Sequence, residues 1–576
     1  NFEARGSGGP SYMLMETNGK NGKLLGEFMK ASPNAPNCSS LMYSIYKIMP
    51  NSTDSTPLRE IAGIKSLLFA FIDDFFDYHT AQDTWQRIDR SSLVHQGDYL
   101  MQTLNYFAFS DLENLDGEED QVFVRLPFVR LLWYPYSWNV PLLVIAFGLF
   151  VGLVIVGMKR NRINLRNGLK SFIPFLLTLV INCVLTFGLW QVILLFHPSY
   201  KSILHGFTYN GYYYLGAFMA LNVALSFLIY KKWLSKYESN DLTIGPLFFW
   251  LIINLLMTLF LPGGSFLIIP VFLVLVMWAI SVLTAWPVNI KLPVFTLLSL
   301  PLLYILVPFI KLFPVTLGLL VMALGTFFLV LAFGLLIPIF SLSNNTRYLT
   351  YGSAVIALLL FAKATTMSGF DGDRRQPTHV RFFHNADIDS SYWASFNDRM
   401  DPFLYQFFGE QPNKGKLPAN VDQTAHPFIK TYIQTENRPL KLSKITVHQD
   451  TVHDGKRIVD FTIAPQRRMA MISLIAKHDI NITQMTVNGT PVSAIDYEGF
   501  AFERKKDDTI LRYILTQTDR ELHINITMED EKLEFYLQEL SYDLLSNELF
   551  EIKPREDHMM PQIGSDAIKT NRSVVL

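Results

Sequence analysis

Between Trp138 and about Ala362 the chain is apolar in long blocks separated by short polar breaks. The hydrocarbon layer of a membrane is about 30 Å thick and takes about 20 helical residues to cross, so this pattern predicts about eight membrane helices. They are expected over Trp138–Met158, Ser171–Phe196, Gly211–Tyr230, Ile244–Leu261, Ser265–Trp286, Leu292–Ile310, Pro314–Leu342 and Tyr348–Ala362. The last is short, and spanning requires Lys363 to extend its ammonium toward the interface. The polar residues within these blocks, Asn182, Gln191, Asn222 and Asn254, are uncharged and suit hydrogen bonding between helices. An ion path would leave ionisable groups at membrane depth, so a transporter is the weaker reading of the block.

The flanks follow other periods. Residues 1–136 alternate helical patterns at Lys20–Lys30, Ser39–Ile48 and Ser91–Phe109 with a wholly apolar run, Ser66–Ile72, that reads as a buried strand. That rhythm predicts an α/β domain around a mostly parallel sheet. Such a sheet needs more strands than this stretch supplies, and the expectation is that further strands precede Asn1 in a longer chain. Residues 369–576 turn polar at Asp371-Gly372-Asp373 and carry short runs rich in Val, Ile, Thr and Tyr. Those runs, Lys444–Gln449, Arg457–Ala464, Met469–Ala476, Ile482–Val487, Tyr513–Thr516 and Leu522–Met528, predict an antiparallel, all-β sandwich-like domain. Its histidines His379, His384, His448 and His453 show no ligand spacing and read as solvated or locally hydrogen-bonded. Three domains are therefore expected, 1–136, 137–368 and 369–576, with the apolar block embedded in a lipid bilayer.

Charge orients the block. Lys159, Arg160, Arg162, Arg166 and Lys170 follow the first helix, Lys231, Lys232 and Lys236 the third, while the alternate breaks carry little positive charge. Basic loops stay cytoplasmic, so both flanking domains are expected on the non-cytoplasmic side, in a periplasm or an organelle lumen. Sequons at Asn37, Asn51 and Asn525 are usable in a secretory compartment. A 576-residue chain with 50% hydrophobic content and a net charge of -1 gives no case for a nucleic-acid partner. Two cysteines, Cys38 and Cys183, cannot make a disulfide framework and are expected as free thiols.

Two short stretches of the first segment carry candidate chemistry. One is Asn1-Phe2-Glu3-Ala4-Arg5-Gly6-Ser7-Gly8-Gly9-Pro10, a carboxylate at a strand end followed by a glycine-rich turn. The other is Tyr78-His79-Thr80-Ala81-Gln82-Asp83-Thr84, directly after the apolar strand and the acidic turn of Asp73, Asp74 and Asp77. Ligands of open α/β sheets gather at the carboxyl ends of strands, and a carboxylate with an imidazole suits zinc where sulfur is absent.

Together these stretches resemble the catalytic domain of the di-zinc metallopeptidases of the aminopeptidase Y and glutamate carboxypeptidase type, and within it the membrane-embedded branch. The resemblance implies a zinc-dependent exopeptidase acting on peptides, most simply an aminopeptidase, with two Zn2+ ions in the complete protein. It implies that Glu3 is the acidic ligand of one zinc, that His79 is the last histidine ligand of the other, and that Tyr78 faces substrate and stabilises the oxyanion. Asp83 and Thr84 match the pattern as structural residues. An earlier histidine, a bridging aspartate and a Glu-Glu pair that includes the general base are expected before Asn1, so no catalytic base is assigned here and the chain alone is expected to be inactive. The alternative is a metal-free, peptidase-like membrane scaffold.

Overall fold

In the computed structural model the described residues are 1–31, 36–49, 53–113, 115–127, 129–342, 346–422, 427–492, 503–516 and 521–576. The expected sequon at Asn51 lies outside them. Contacts divide the chain into two compact units, Asn1–Tyr78 with Gln82–Gly369, and His79–Ala81 with Phe370–Leu576.

The first unit opens with a three-stranded sheet. β1 (Phe2–Ala4) runs parallel to β3 (Ser66–Phe71), while β2 (Tyr12–Glu16) pairs antiparallel on the other side of β3. The sheet is thus mixed, and β3, the central strand, is the apolar run read from the sequence. Helices α1 (Gly22–Ala31), α2 (Ser40–Ile48), α3 (Ser55–Glu60) and α4 (Arg90–Phe107) surround it. Ser39 caps α2 by accepting from the Met42 amide, and Asp89 caps α4 through Ser91. Leu25, Phe28, Phe69, Tyr99 and Phe123 close one core. An antiparallel hairpin, β4 (Gln121–Leu126) and β5 (Val129–Pro135), was not anticipated.

The hairpin leads into the helices. α5 (Asn139–Lys159), α6 (Leu165–Lys170), α7 (Phe172–Phe196), α8 (Gly211–Leu234), α9 (Ser239–Leu242), α10 (Ile244–Phe260), α11 (Ile268–Leu283), α12 (Val288–Leu317), α13 (Met322–Leu335), α14 (Ile337–Phe340) and α15 (Thr346–Thr366) follow in order. Among the described residues seven helical stretches are long and apolar enough to cross a membrane, and Leu319–Leu335 is a shorter apolar one. The expected Pro314–Leu342 crossing is divided. α12 runs on through Pro314 to Leu317, Gly318 reverses the backbone at φ 87°, and α13 begins only at Met322. Gly318 can turn so tightly because it has no Cβ: one would lie 2.6 Å from the His205 carbonyl oxygen. α15 is longer than expected and places Lys363 in its last turn, so less of the lysine has to reach outward.

Loop contacts sort the helix ends. At one end, Asn139 reaches the Pro262 carbonyl (3.2 Å), the Leu319 amide donates to Gly206 (3.0 Å) and Asn210 donates to the Ala364 carbonyl (2.8 Å). At the other, Arg160 donates to the Leu283 carbonyl (2.7 Å), the Asn164 amide to Asp241 (2.8 Å) and Ser341 to Ser239 (2.7 Å). The chain therefore traverses the bundle eight times, the seventh through the short α13. Within it Asn222 donates to Thr186 (2.9 Å) and Thr326 (3.0 Å), and Asn182 to Ser226 (3.1 Å). These buried amides join helices, as their uncharged character suggested.

The N-terminal segment is packed onto this bundle. Leu41, Val122 and Val124 belong to the same core as Trp250, Phe266 and Phe309. The Ser40 hydroxyl lies 2.5 Å from the Gly263 carbonyl oxygen and 3.1 Å from that of Phe123.

The second unit contains an eight-stranded and a six-stranded sheet. Val459, Phe461, Ile524 and Ile526 of the smaller sheet share a core with Ile472, Leu474, Phe535 and Leu537 of the larger, which is sandwich packing. Pairing is not wholly antiparallel: the C-terminal strand Ala567–Val575 runs parallel to Arg381–Asn385. A helix, Pro402–Phe408, covers part of the larger sheet through Phe403 and Phe407, which pack with Phe382 and Trp393. The sequence reading missed both, because it took strands only from residue 444 onward.

Candidate functional site

β1 and β3 end side by side. Beyond them the Arg5 amide donates to the Phe71 carbonyl (2.9 Å) and the Gly8 amide to the Asp73 carbonyl (3.1 Å), so the glycine-rich stretch passes from the parallel pair to an antiparallel bridge with the acidic turn. Gly6 permits the approach, since a Cβ there would stand 2.2 Å from the Asp73 carbonyl oxygen. The Ser7 hydroxyl donates to Asp77 (2.6 Å), a buried carboxylate also held by Arg87 (3.0 Å), and the Asp89 amide donates back to the Ser7 carbonyl (2.8 Å). The glycine-rich stretch and the acidic turn are one hydrogen-bonded structure.

Glu3 is half-buried at the centre of β1, paired with Ala70, and its side chain accepts from the Asn1 amide group (2.8 Å). Gln96 of α4 locks the strand pair by donating to the Glu3 carbonyl (2.8 Å) and the Phe69 carbonyl (3.0 Å). Tyr78 is half-buried, with its ring 5.6 Å from Phe75 and 5.4 Å from His205. Burial pushes its phenol pKa up, Arg5 opposes the shift, and Glu3 and Asp83 reinforce it. Tyr78 therefore stays protonated near neutrality and can donate a hydrogen bond, which an oxyanion partner must do. His79 is exposed and holds a left-handed backbone at φ 57°, uncommon for a residue with a Cβ. Asp83 is exposed, and Thr84 turns the chain with its amide on Gln82 (2.9 Å) and its carbonyl on the Arg87 amide (3.0 Å).

Residues between α7 and α8 hold the acidic turn, which the sequence did not reveal. His205 Nε2 lies 3.1 Å from the Tyr78 carbonyl oxygen and its ring 4.5 Å from Phe75. The Asp74 amide donates to the Tyr212 hydroxyl (3.1 Å), and Lys311 of α12 pairs with Asp73 at 2.5 Å. Burial raises the Asp74 pKa, the Tyr212 hydrogen bond opposes this, and the neighbouring Asp73 and Asp77 add to it. Nothing in the local pattern of either stretch points to these partners, which become neighbours only through the bundle.

Glu3 and His79 offer donor types that zinc accepts, but a closed zinc site takes about four ligands. Among the described residues the one set of three or more His, Cys, Asp or Glu ligand atoms within 4.8 Å of each other is elsewhere, at His448, Asp460 and His523. Glu3 and His79 thus do not fit a complete zinc site on their own, and no chemical step is derived through one. Of the other histidines, His379 is buried and stacked 3.6 Å from Phe396, and His384 meets Ser391 at 3.0 Å, as local hydrogen-bonded residues should.

Comparison with known proteins agrees with this reading of the first segment. Residues 1–104 match peptidase family M28 and resemble a zinc-dependent metallopeptidase, a hydrolase. The chain is similar to endoplasmic reticulum metallopeptidase 1 of Rattus norvegicus, 26% identical over 265 residues, which cover 43% of this chain and 28% of the rat protein. Putative endoplasmic reticulum metallopeptidase 1-B of Caenorhabditis elegans is 31% identical over 142 residues, 24% of this chain and 16% of that protein. The human metallopeptidase 1 is 31% identical over 114 residues, 19% of this chain and 12% of the human one. The matches thus span less than a third of these relatives' own lengths. No solved structure matches the chain.

Proposed function

We propose that this chain is part of a membrane-embedded zinc metallopeptidase, with residues 1–136 the C-terminal part of its catalytic domain, 137–368 its membrane domain and 369–576 a β-rich domain. The observation that carries this is the joining of the Glu3 strand end to the Asp73–Tyr78 turn through Gly6, Ser7 and Gly8. In the finer reading the enzyme is an exopeptidase with aminopeptidase specificity and two zinc ions. Glu3 and His79 each give one ligand, Tyr78 donates to the developing oxyanion, and the general base and remaining ligands come from residues outside this sequence. This chain also has to hold the acidic turn still, which Arg87 on Asp77, His205 on the Tyr78 carbonyl and Lys311 on Asp73 do.

Both soluble parts are proposed to stand on the non-cytoplasmic side. Support comes from the bundle end that carries Lys159, Arg160, Arg162, Lys231 and Lys232, opposite the end packed against the N-terminal segment. Cys38 is buried and Cys183 half-buried, so a reporter cysteine at Asn488 is labelled in a Cys38→Ser, Cys183→Ser background. Labelling of that cysteine only from the cytoplasmic side would overturn the orientation.

In the full-length protein, His79→Ala should abolish most hydrolysis of a fluorogenic aminoacyl substrate and lower bound zinc, with membrane insertion unchanged. Glu3→Gln should act in the same direction. Normal zinc and normal turnover in His79→Ala would remove the assignment of this histidine, whereas a full-length parent with neither zinc nor turnover would favour the scaffold reading.

A further inference from the structure

Three strands of the second unit, Lys444–His453, Lys456–Ala464 and Leu522–Met528, lie side by side in the six-stranded sheet. Antiparallel register pairs Asp460 with Asn525 and Thr462 with His523. Side chains alternate across a sheet, so these four share one face, while Val459, Phe461, Ile463, Leu522, Ile524 and Ile526 point into the core from the other. On the neighbouring strand the ladder slips between Val447, opposite Phe461, and Gln449, opposite Asp460. His448 is the extra residue of that bulge. The slip sets both His448 and Gln449 against Asp460, and His448 lies on the same face, its Nε2 beside the Thr462 hydroxyl.

The result is a cluster of two imidazoles and a carboxylate whose ligand atoms all lie within 4.8 Å of one another. The rings of His448 and His523 are 5.8 Å apart and inclined at 73°. Each group is also oriented by a neighbour. Asn525 donates to the second oxygen of Asp460 (3.0 Å), Thr462 meets His448 Nε2 (2.7 Å), and the Asn488 side chain accepts from the His523 amide (2.9 Å).

We propose that His448, Asp460 and His523 form a binding site for a divalent first-row transition ion such as zinc, separate from the peptidase segment and independent of the function proposed above. Two imidazoles and one carboxylate are the donors such ions take, and solvent exposure of both histidines leaves the remaining coordination positions to water or an external ligand. Metal–ligand bonds of about 2.1 Å in tetrahedral geometry put donors about 3.4 Å apart. Closing from 4.8 Å needs small side-chain rotations on a rigid sheet. A cation would take the position between His523 Nε2 and Asp460, now 2.7 Å apart, with the neutral imidazole binding through Nε2 and carrying its proton on Nδ1.

The test is titration of the purified chain in detergent with zinc, and separately with cobalt read by its visible d–d absorption, in a His79→Ala background that removes any contribution from the peptidase segment. One equivalent should bind, with cobalt giving a histidine-ligated spectrum. His448→Ala, Asp460→Asn and His523→Ala should each weaken binding by about 100-fold, and Asn525→Ala, which only releases the carboxylate's second oxygen, by about 10-fold. Thr446→Ala, on the same strand as His448 and outside the cluster, should bind as the parent does. All five side chains are at or near the sheet surface, and circular dichroism melts identify any variant that has lost the fold. If a folded parent binds no equivalent, or folded variants bind as tightly as the parent, the three residues form only a hydrogen-bonded His–Asp pair beside a second histidine and the proposal fails.

Discussion

Gly6→Ala tests whether the glycine-rich stretch and the acidic turn are one structure. An added methyl would sit 2.2 Å from the Asp73 carbonyl oxygen and 3.1 Å from the Ile72 carbonyl oxygen, whereas ordinary contact begins near 3.4 Å. The first of these is backbone in a paired turn and cannot rotate away, so β1 and the turn must separate by about 1 Å. Overpacking of this kind costs about 1–3 kcal/mol, and the separation also stretches the Gly8–Asp73 hydrogen bond of 3.1 Å. Because 1.4 kcal/mol is a factor of ten, local opening should rise by about 5- to 150-fold. Hydrogen–deuterium exchange followed by mass spectrometry reads this directly: peptides covering residues 1–10 and 71–89 should lose protection by that factor, and those covering α7 and α8 should not. Gly26→Ala provides the opposite sign. Nothing lies within 4 Å of its new methyl, and the change in α1 should stabilise by about 1 kcal/mol through helix propensity. Unchanged protection in Gly6→Ala would show that the two stretches are not packed as described, and with them the support for the peptidase reading would go.

Other expectations follow from single contacts. His95 Nδ1 accepts from the Ser11 amide at 3.0 Å, and burial lowers its pKa below 6.5, with Asp98 opposing the shift and Arg125 adding to it. The folded state therefore favours the neutral ring, so this contribution to stability is complete above about pH 6.5 and is lost as pH falls through the lower folded value. Exchange of the Ser11 amide should accelerate over that window, and His95→Gln should flatten the change. Asn222→Leu removes bonds to Thr186 and Thr326 but leaves those two hydroxyls on each other at 3.0 Å, so a loss of about 1 kcal/mol is expected in detergent unfolding. A loss above about 3 kcal/mol would mean that the amide does more than join helices.

How much of this was readable in the sequence depended on how many faces of an element are buried against one neighbour. β3 was plain because Leu68, Phe69, Ala70 and Phe71 are all buried, with Lys65 and Asp73 marking its ends. The helices of the bundle were plain for another reason: their apolar runs are long enough to cross a bilayer, although only 11% to 56% of an 18-residue stretch of each is buried within the protein. The β4–β5 hairpin was not. Phe123 points into the core of the three-stranded sheet while Val122 and Val124 point into the helix bundle, so a strand apolar on both faces shows no alternation, and Pro127 interrupts the run that follows. The division of the seventh apolar block turned on one residue, Gly318, in a stretch where every neighbour is apolar.

The two candidate sites differ in the same way. Glu3 and Tyr78-His79 sit in contiguous motifs, so their chemistry was legible from local sequence. What holds the turn, His205, Tyr212 and Lys311, comes from helix ends more than 100 residues away and could be found only once the bundle set their positions. The His448–Asp460–His523 cluster goes further, because its members have no motif and Asp460 and His523 are 63 residues apart. Strand register determines which side chains face one another: continued from Val447 opposite Phe461 the ladder sets His448 opposite Asp460, while continued back from Gln449 opposite Asp460 it sets His448 opposite Phe461, on the core side. Which of the two registers governs His448 is settled only where the slip falls, between Val447 and Gln449. A bulge leaves no reliable mark on hydrophobic periodicity in a strand as exposed as Lys444–His453, so a site that depends on it is set by geometry that the linear pattern does not carry.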